Sequence, residues 1–212
     1  MSSARSITTV RQTFYNAPSS PITLEHVPLA SLTAESISDL TTSLGGGKRL
    51  GVAASYGDKC FPVALAFSTR TRILLITLDI ASRSAKRQKQ ILKNGLLCDG
   101  SLEKHGFFME RLAAALYLDF GLCIQNAFDI TSGGDNRGSL ATYKNVLRGT
   151  GSGGPLNESV VERIFFEKPF TLSQKNDFAL RAWACNIAVK ALPDMQGAID
   201  TSIKDPKVHP NR

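Results

Sequence analysis

Apolar residues recur at helical spacing across residues 31–44 (Leu32, Ile37, Leu40, Leu44), with Thr33 or Ser31 placed to cap the first turn. Gly45, Gly46 and Gly47 stop that helix. The pattern then shortens to strand-length runs over 49–55, 60–68 and 72–79. Turn-like Tyr56-Gly57-Asp58 and a short Thr/Arg link separate them, which predicts an antiparallel meander. Residues 82–97 are amphipathic and basic, with Ile91, Leu92 and Leu96 on the apolar side. Residues 106–118, rich in Ala and Leu, read as a buried helix, and 121–130 as another short strand. A helix over 139–147 precedes a loop at 149–155 with almost no side chains to pack. The strongest helical pattern runs over 172–192, with Phe178, Ala182, Cys185 and Val189 on one face.

Pro18 and Pro21 discourage regular structure near the start, so residues 1–24 read as a flexible segment. Residues 25–193 form one α/β domain in this reading, because three strands, a helix, a strand and then helices follow one another without a repeat. After Pro193 the chain turns polar, and 194–212 read as a loose tail. The stretch Gly45-Gly46-Gly47-Lys48-Arg49 lacks the Ser or Thr that a phosphate loop places after its lysine, and is taken as a turn.

Composition narrows the class. A 42% hydrophobic and 20% charged chain is globular rather than disordered. Its apolar runs all fall well short of the roughly 20 residues of a membrane helix, which excludes a membrane partner in this reading. Twenty-five Lys and Arg against 18 Asp and Glu leave a formal charge of +7, which points toward a polyanion without saying where the charge lies. Cys60, Cys98, Cys123 and Cys185 show no zinc spacing and no disulfide framework. Each flanks apolar residues, which predicts buried reduced thiols and an intracellular protein of nucleus or cytoplasm rather than mitochondrion. Arg5 and Arg11 without an acid give the first residues a faint transit-peptide character, and a plain flexible terminus is preferred.

Three stretches carry a family resemblance. The first is Leu50-Gly51-Val52-Ala53-Ala54-Ser55-Tyr56 with the two apolar strands after it. The second is Lys104-His105-Gly106-Phe107-Phe108-Met109-Glu110-Arg111-Leu112, then Leu118-Asp119-Phe120-Gly121-Leu122 and Asn126-Ala127-Phe128-Asp129-Ile130. The third is Lys168-Pro169-Phe170-Thr171-Leu172-Ser173-Gln174 running into Asp177-Phe178-Ala179-Leu180-Arg181-Ala182-Trp183. Together they resemble the three motifs of the 3′–5′ exonuclease domain of the RNase D and Werner-syndrome-helicase type, over about residues 30–193. The resemblance implies an α/β fold, an RNase H-like mixed sheet of about five strands flanked by helices. It also implies two divalent cations, Mg²⁺ or Mn²⁺, held by four carboxylates that clamp the scissile phosphate and activate water.

Carried over residue by residue, those acidic positions fall on Ala53, Ser55, Leu112 and Arg181, and the water-orienting tyrosine on Asp177. A second register puts Glu110 in place of Leu112. Ala and Leu cannot ligate a dication, and a guanidinium repels one: at 4 Å and an effective dielectric of about 20, by roughly 4 kcal/mol per pair of unit charges. The metal site is therefore expected to be lost and no residue is assigned catalysis. Asp177 and Arg181, four apart on one helix, could pair with each other. The cations such a cleft could still turn toward a phosphate backbone are Arg49, Lys104, Lys144, Arg148 and Arg181. Phe107, Phe108 and Trp183 read as packing residues before stacking platforms, and His105 as a cap or surface residue.

Three readings follow. The first is an inactive exonuclease-like domain that binds nucleic acid or acts as a scaffold or adaptor in RNA processing or silencing. The second is an active exonuclease with relocated carboxylates. The third is a pure protein-interaction domain. The expected partners are RNA or single-stranded DNA, a protein, and a second copy of the chain.

Overall fold

Seven strands among the described residues line up in one mixed sheet: β1 (Ser6–Val10), β2 (Ile22–Pro28), β3 (Arg49–Tyr56), β4 (Pro62–Ser68), β5 (Arg72–Thr77), β6 (Glu103–Gly106) and β7 (Ala127–Asp129), in the spatial order β1-β2-β5-β4-β3-β6-β7. The computed structural model describes residues 5–16, 19–45, 47–57, 60–79, 85–130, 140–150, 154–165 and 170–189. The expected meander is present, with Ala53 opposite Ala66 and Ala66 opposite Leu75 across antiparallel β3, β4 and β5. β1 joins β2 antiparallel, whereas β2 on β5, β6 on β3 and β7 on β6 are parallel.

Alternation along the central strands decides which helices cover which face. Leu50, Val52, Leu65, Phe67, Leu74 and Ile76 point to one side. There they meet α1 (Ala34–Thr42), α2 (Lys86–Leu92) and α3 (Met109–Phe120). Ala64, Ala66, Ile73 and Leu75 point to the other, under α4 (Leu140–Gly149), α5 (Glu158–Phe165) and α6 (Lys175–Ala188). Thr33 caps α1 as expected, accepting from the Ser36 amide at 3.2 Å. α6 buries residues all round, including Phe178, Ala179, Ala182, Cys185 and Ile187. It is a core helix rather than an amphipathic one.

The sheet exceeds the expected five strands for local reasons. β1 lies inside the segment expected to be flexible, and Phe14 and Tyr15 just after it are buried. Tyr15 anchors that stretch by a bridge to Leu156 and by donating its hydroxyl to the Leu147 carbonyl at 2.9 Å. β2 reads Ile-Thr-Leu-Glu-His-Val-Pro, and the acid and histidine at its centre hide a strand whose Glu25 is fully buried. Burial is tolerated because Arg5 at 2.9 Å, Arg72 at 3.0 Å and the Ser36 hydroxyl at 2.6 Å surround that carboxylate.

Two further differences concern helices. The basic helix expected over 82–97 ends as α2 at Leu92 and widens into a π-turn, Lys93–Leu97. Residues 106–108, expected to open a helix, instead finish β6 and turn, so α3 begins at Met109, whose amide donates to Asp129 Oδ2 at 3.0 Å. Cys185 is buried, but Cys98 and Cys123 are half-buried and Cys60 is exposed, so only one of the four thiols fits the buried expectation. The tail 194–212 lies outside the described residues.

Candidate functional site

Gly51 leaves β3 without a side chain where α6 crosses it, and α6 therefore lies directly on the strand. That contact sets Arg181 and Cys185 over Ala53. Ala53 and Ser55, two apart, share the strand face turned toward α6. Ser55 is buried and lines a space of about 190 Å³ with Arg163, Asp177, Phe178 and Arg181. On the far side of Arg181 a second space of only about 50 Å³ remains among Ala53, Phe107, Phe108, Tyr143 and Phe165.

Aromatic rings account for how little is left. Phe107 meets Tyr143 edge-on at 4.6 Å and Phe165 edge-on at 5.5 Å, while Tyr143 stacks on Phe165 at 4.5 Å. Each such pair contributes about 1 kcal/mol beyond its burial, so three rings from a loop, α4 and α5 hold one another in place. Phe107 and Phe108 thus pack, as the sequence suggested. Trp183 does too, stacking on Phe14 at 6.2 Å and donating its indole N–H to the Arg70 carbonyl at 3.0 Å. Phe165 escaped notice because α5 falls in a stretch whose helical pattern spans only eight residues, and Tyr143, on the expected helix α4, because nothing in the sequence shows which ring it meets.

The charged groups are engaged. Arg181 donates through Nε to the Ile164 carbonyl and places its guanidinium 5.8 Å from the centre of the Phe178 ring. Asp177 meets Arg163 of α5 at 3.2 Å, a pair between helices where the sequence suggested one within α6. Leu112 is corrected: it is buried in the core on the opposite sheet face, and Glu110, its alternative, is exposed on the first turn of α3. The structure thus brings Ala53, Ser55, Asp177 and Arg181 to one cleft and leaves Leu112 out.

The expected phosphate-binding cations fare similarly. Lys104 is corrected outright, being fully buried with its ammonium donating to the Asp99 carbonyl at 2.6 Å. Burial pulls its pKa down to about 8, against the opposing pull of Asp99 and Cys98. Arg49 pairs with Glu103 at 3.0 Å, and the same carboxylate meets His105 at 3.1 Å. His105 is largely buried, stacked on Phe128 at 4.9 Å, and desolvation lowers its pKa despite Glu103. Lys144 meets Glu158 at 3.0 Å and Glu162 at 2.8 Å, and Arg148 also meets Glu158. Two acids of α5 thus face the two cations of α4.

A two-metal site needs several hard oxygen donors within a few ångströms. The carried-over motif positions instead present the Ala53 methyl group, the Ser55 hydroxyl, the Arg181 guanidinium, and an Asp177 carboxylate already paired with Arg163. Among the described residues, no three His, Cys, Asp or Glu side chains gather where they could hold a metal ion. These residues do not fit a dication. Nor is any described helix long and apolar enough to cross a membrane.

No protein family's model matches the chain, and no curated protein does. Among solved structures, the chain is similar to RNase D of Trypanosoma brucei at 12% identity and a TM-score of 0.54, covering 82% of this chain and 66% of that one. It is similar to the same protein in complex with GMP at 13% identity and a TM-score of 0.52, covering 82% and 58%. The Nibbler exonuclease domain of Aedes aegypti aligns at 13% identity and a TM-score of 0.46, covering 73% and 82%. The chain spans somewhat less than two thirds of the length of the RNase D chains. At 12–13% identity these likenesses show the fold alone: an α/β, RNase H-like mixed sheet flanked by helices.

Proposed function

We propose that the chain is a catalytically inactive 3′–5′ exonuclease-like domain that serves as a scaffold or adaptor. One observation carries this: the cleft that an exonuclease of this fold would use holds Ala53, Ser55 and Arg181, and three aromatic rings fill the space beside them. A bound Mg²⁺ or Mn²⁺ would face a guanidinium rather than a carboxylate, so the metal chemistry of the fold has no seat on these side chains.

The solved relative in complex with GMP raises the question of a nucleotide in the same cleft. The roughly 50 Å³ left beside the rings is too small for a mononucleotide, and the neighbouring space of about 190 Å³ is lined in part by the Asp177 carboxylate, which repels a phosphate. The α4 cations that could approach a phosphate backbone are already paired with Glu158 and Glu162. These contacts favour scaffolding by protein contact, with a protein or a second copy as partner, over retention of a nucleic-acid strand. The free thiols support an intracellular setting.

The decisive assay incubates the purified chain with 5′-labelled RNA and single-stranded DNA in Mg²⁺ or Mn²⁺. The expected result is no 3′-end trimming above an EDTA control. Trimming that EDTA abolishes would overturn the proposal.

A further inference from the structure

We infer that a groove on the sheet face away from the filled cleft binds an amphiphilic anion, an apolar alkyl or aryl body carrying one anionic head. The groove measures about 780 Å³, many times the space left beside the cleft aromatics. That volume lies within the roughly 300–1,000 Å³ typical of small-molecule sites. It runs between α1 on one side and α2 with its π-turn on the other.

The walls come from both sides. Ile37 and Leu44 face Ile91 and Leu102; Ile37 and Leu102 belong to the core, while Leu44 and Ile91 are only partly buried against it. The π-turn sets the spacing. Its wide ring closes with the Cys98 amide on the Lys93 carbonyl at 2.7 Å and presents Gly95 to α1. A Cβ on Gly95 would stand 2.9 Å from Ile37 Cγ2, so the walls touch there through a backbone with no side chain. Any larger residue would force the two walls apart.

Charge selects the occupant. Lys48 and Arg87 line the groove, both exposed, and among the described residues neither forms an ion pair or side-chain hydrogen bond with an acid. The lining holds one carboxylate, Asp99. Its oxygen accepts the Ser101 amide at 2.8 Å, and that bond, with the fields of Lys104 and Lys48, keeps it ionised against the cost of its partial burial. The lining thus carries two cations against one anion, which is already bonded to the Ser101 amide. Gln90 and Asn94, hydrogen-bonded to each other at 2.8 Å, add polar atoms at the rim. A phosphodiester strand would leave the apolar walls without contacts, and a neutral apolar ligand would leave the cations without a counter-ion. An apolar body with one anionic head satisfies both. This inference does not depend on the scaffold reading.

The test titrates the full chain with 1-anilinonaphthalene-8-sulfonate, an aryl body with one sulfonate, and competes it with decanoate. One saturable site with a fluorescence rise, displaced by decanoate, is expected. Lys48→Glu with Arg87→Glu, both at exposed positions, should weaken the probe at least about tenfold. Ser38→Trp, on the exposed side of α1 that lines the groove, should abolish binding by filling it. Leu118→Ser, at an apolar residue 79% exposed elsewhere, should leave the signal unchanged. Each variant's thermal unfolding is compared with the parent's, and if Ser38→Trp fails to fold, the charge-reversed pair decides. Absence of a saturable signal, parental affinity in the charge-reversed pair, or loss of signal in Leu118→Ser would overturn the inference.

Discussion

Gly51 and Ala182 approach so closely that a Cβ on Gly51 would stand 2.0 Å from the Ala182 carbonyl oxygen, and 2.4 Å from the Asn186 amide nitrogen. Both obstacles are backbone atoms of α6, which cannot rotate away as a side chain can. Asn186 reinforces the contact by donating its side-chain amide to the Arg49 carbonyl at 2.9 Å. One missing side chain on β3 thus fixes how deeply α6 sits, and hence how far Arg181 reaches over Ala53.

Gly51→Ala should therefore destabilise the fold by about 3 kcal/mol or more, the upper range for overpacking, because relief requires moving a helix. Gly47→Ala and Gly100→Ala, where a Cβ meets nothing within 4 Å, should change stability by less than about 1 kcal/mol. Denaturant unfolding of the three variants checks the contrast. Equal effects would show that α6 does not depend on this contact.

That glycine also marks how far the sequence could be read. The meander and α1 follow from periodicity, because each buries apolar residues at regular spacing, whereas the one-faced pattern read for α6 hides a helix that is buried all round. β2 was hidden because Glu25 and His26 interrupt its apolar run, and the cations and hydroxyl that make Glu25 tolerable come from β5, α1 and the residue preceding β1. Three of the four acid-to-other replacements fall where motif alignment puts two of them on β3 and one on α6, at the cleft. Leu112 does not, because α3 starts only at Met109 and turns that side chain into the opposite core. Charge was the least legible quantity. Lys104, Lys144 and Arg148 counted equally toward +7, yet one is buried and two are paired across helices.

The pairing of α4 with α5 makes a prediction opposite in sign to an ordinary loss of contact. Glu158→Gln with Glu162→Gln releases Lys144 and Arg148 from their carboxylates. The parent chain should bind single-stranded RNA weakly, and the double variant more tightly, with a steeper fall of log affinity against log salt as phosphates take over the freed cations. Fluorescence anisotropy at several salt concentrations measures both slopes. Identical slopes would mean that those cations do not meet RNA even when free.

Glu25 gives the fold an acid sensitivity. Its burial raises the carboxyl pKa, but the Ser36 hydroxyl and the two arginines outweigh that and hold it below the ordinary 4.5. A carboxyl with a lowered folded-state pKa stabilises above its unfolded value, and the contribution disappears as pH falls through the folded value. Unfolding free energy should thus hold above about pH 4.5 from this group and decline below it. Glu25→Gln should cost about 2 kcal/mol at pH 7, because Arg5 and Arg72 lose a buried charged acceptor while Arg72 keeps Asp39 at 2.7 Å, and should flatten the acid decline. Urea titrations from pH 7 to pH 2.5 test both.

Lys104 acts at the opposite end of the pH scale. Its ammonium is buried and donates to the Asp99 carbonyl, and its folded pKa near 8 lies below the ordinary 10.5. The unfolded chain therefore binds more protons than the folded one between these values, and stability must rise with pH across that window. Cys185, pushed up to about 12 by complete burial, works against this above pH 9, since its unfolded thiol ionises first. The difference between the parent and Lys104→Met isolates the lysine from the thiol. Lys104→Met keeps an unbranched apolar stem and removes the buried charge, so it should be more stable than the parent at pH 7. That advantage should shrink as pH rises from 8 toward 10.5, by roughly 3 kcal/mol for a shift of this size. Chemical unfolding at half-unit pH steps measures it, and an advantage that does not change with pH would mean that Lys104 keeps its ordinary pKa inside the fold.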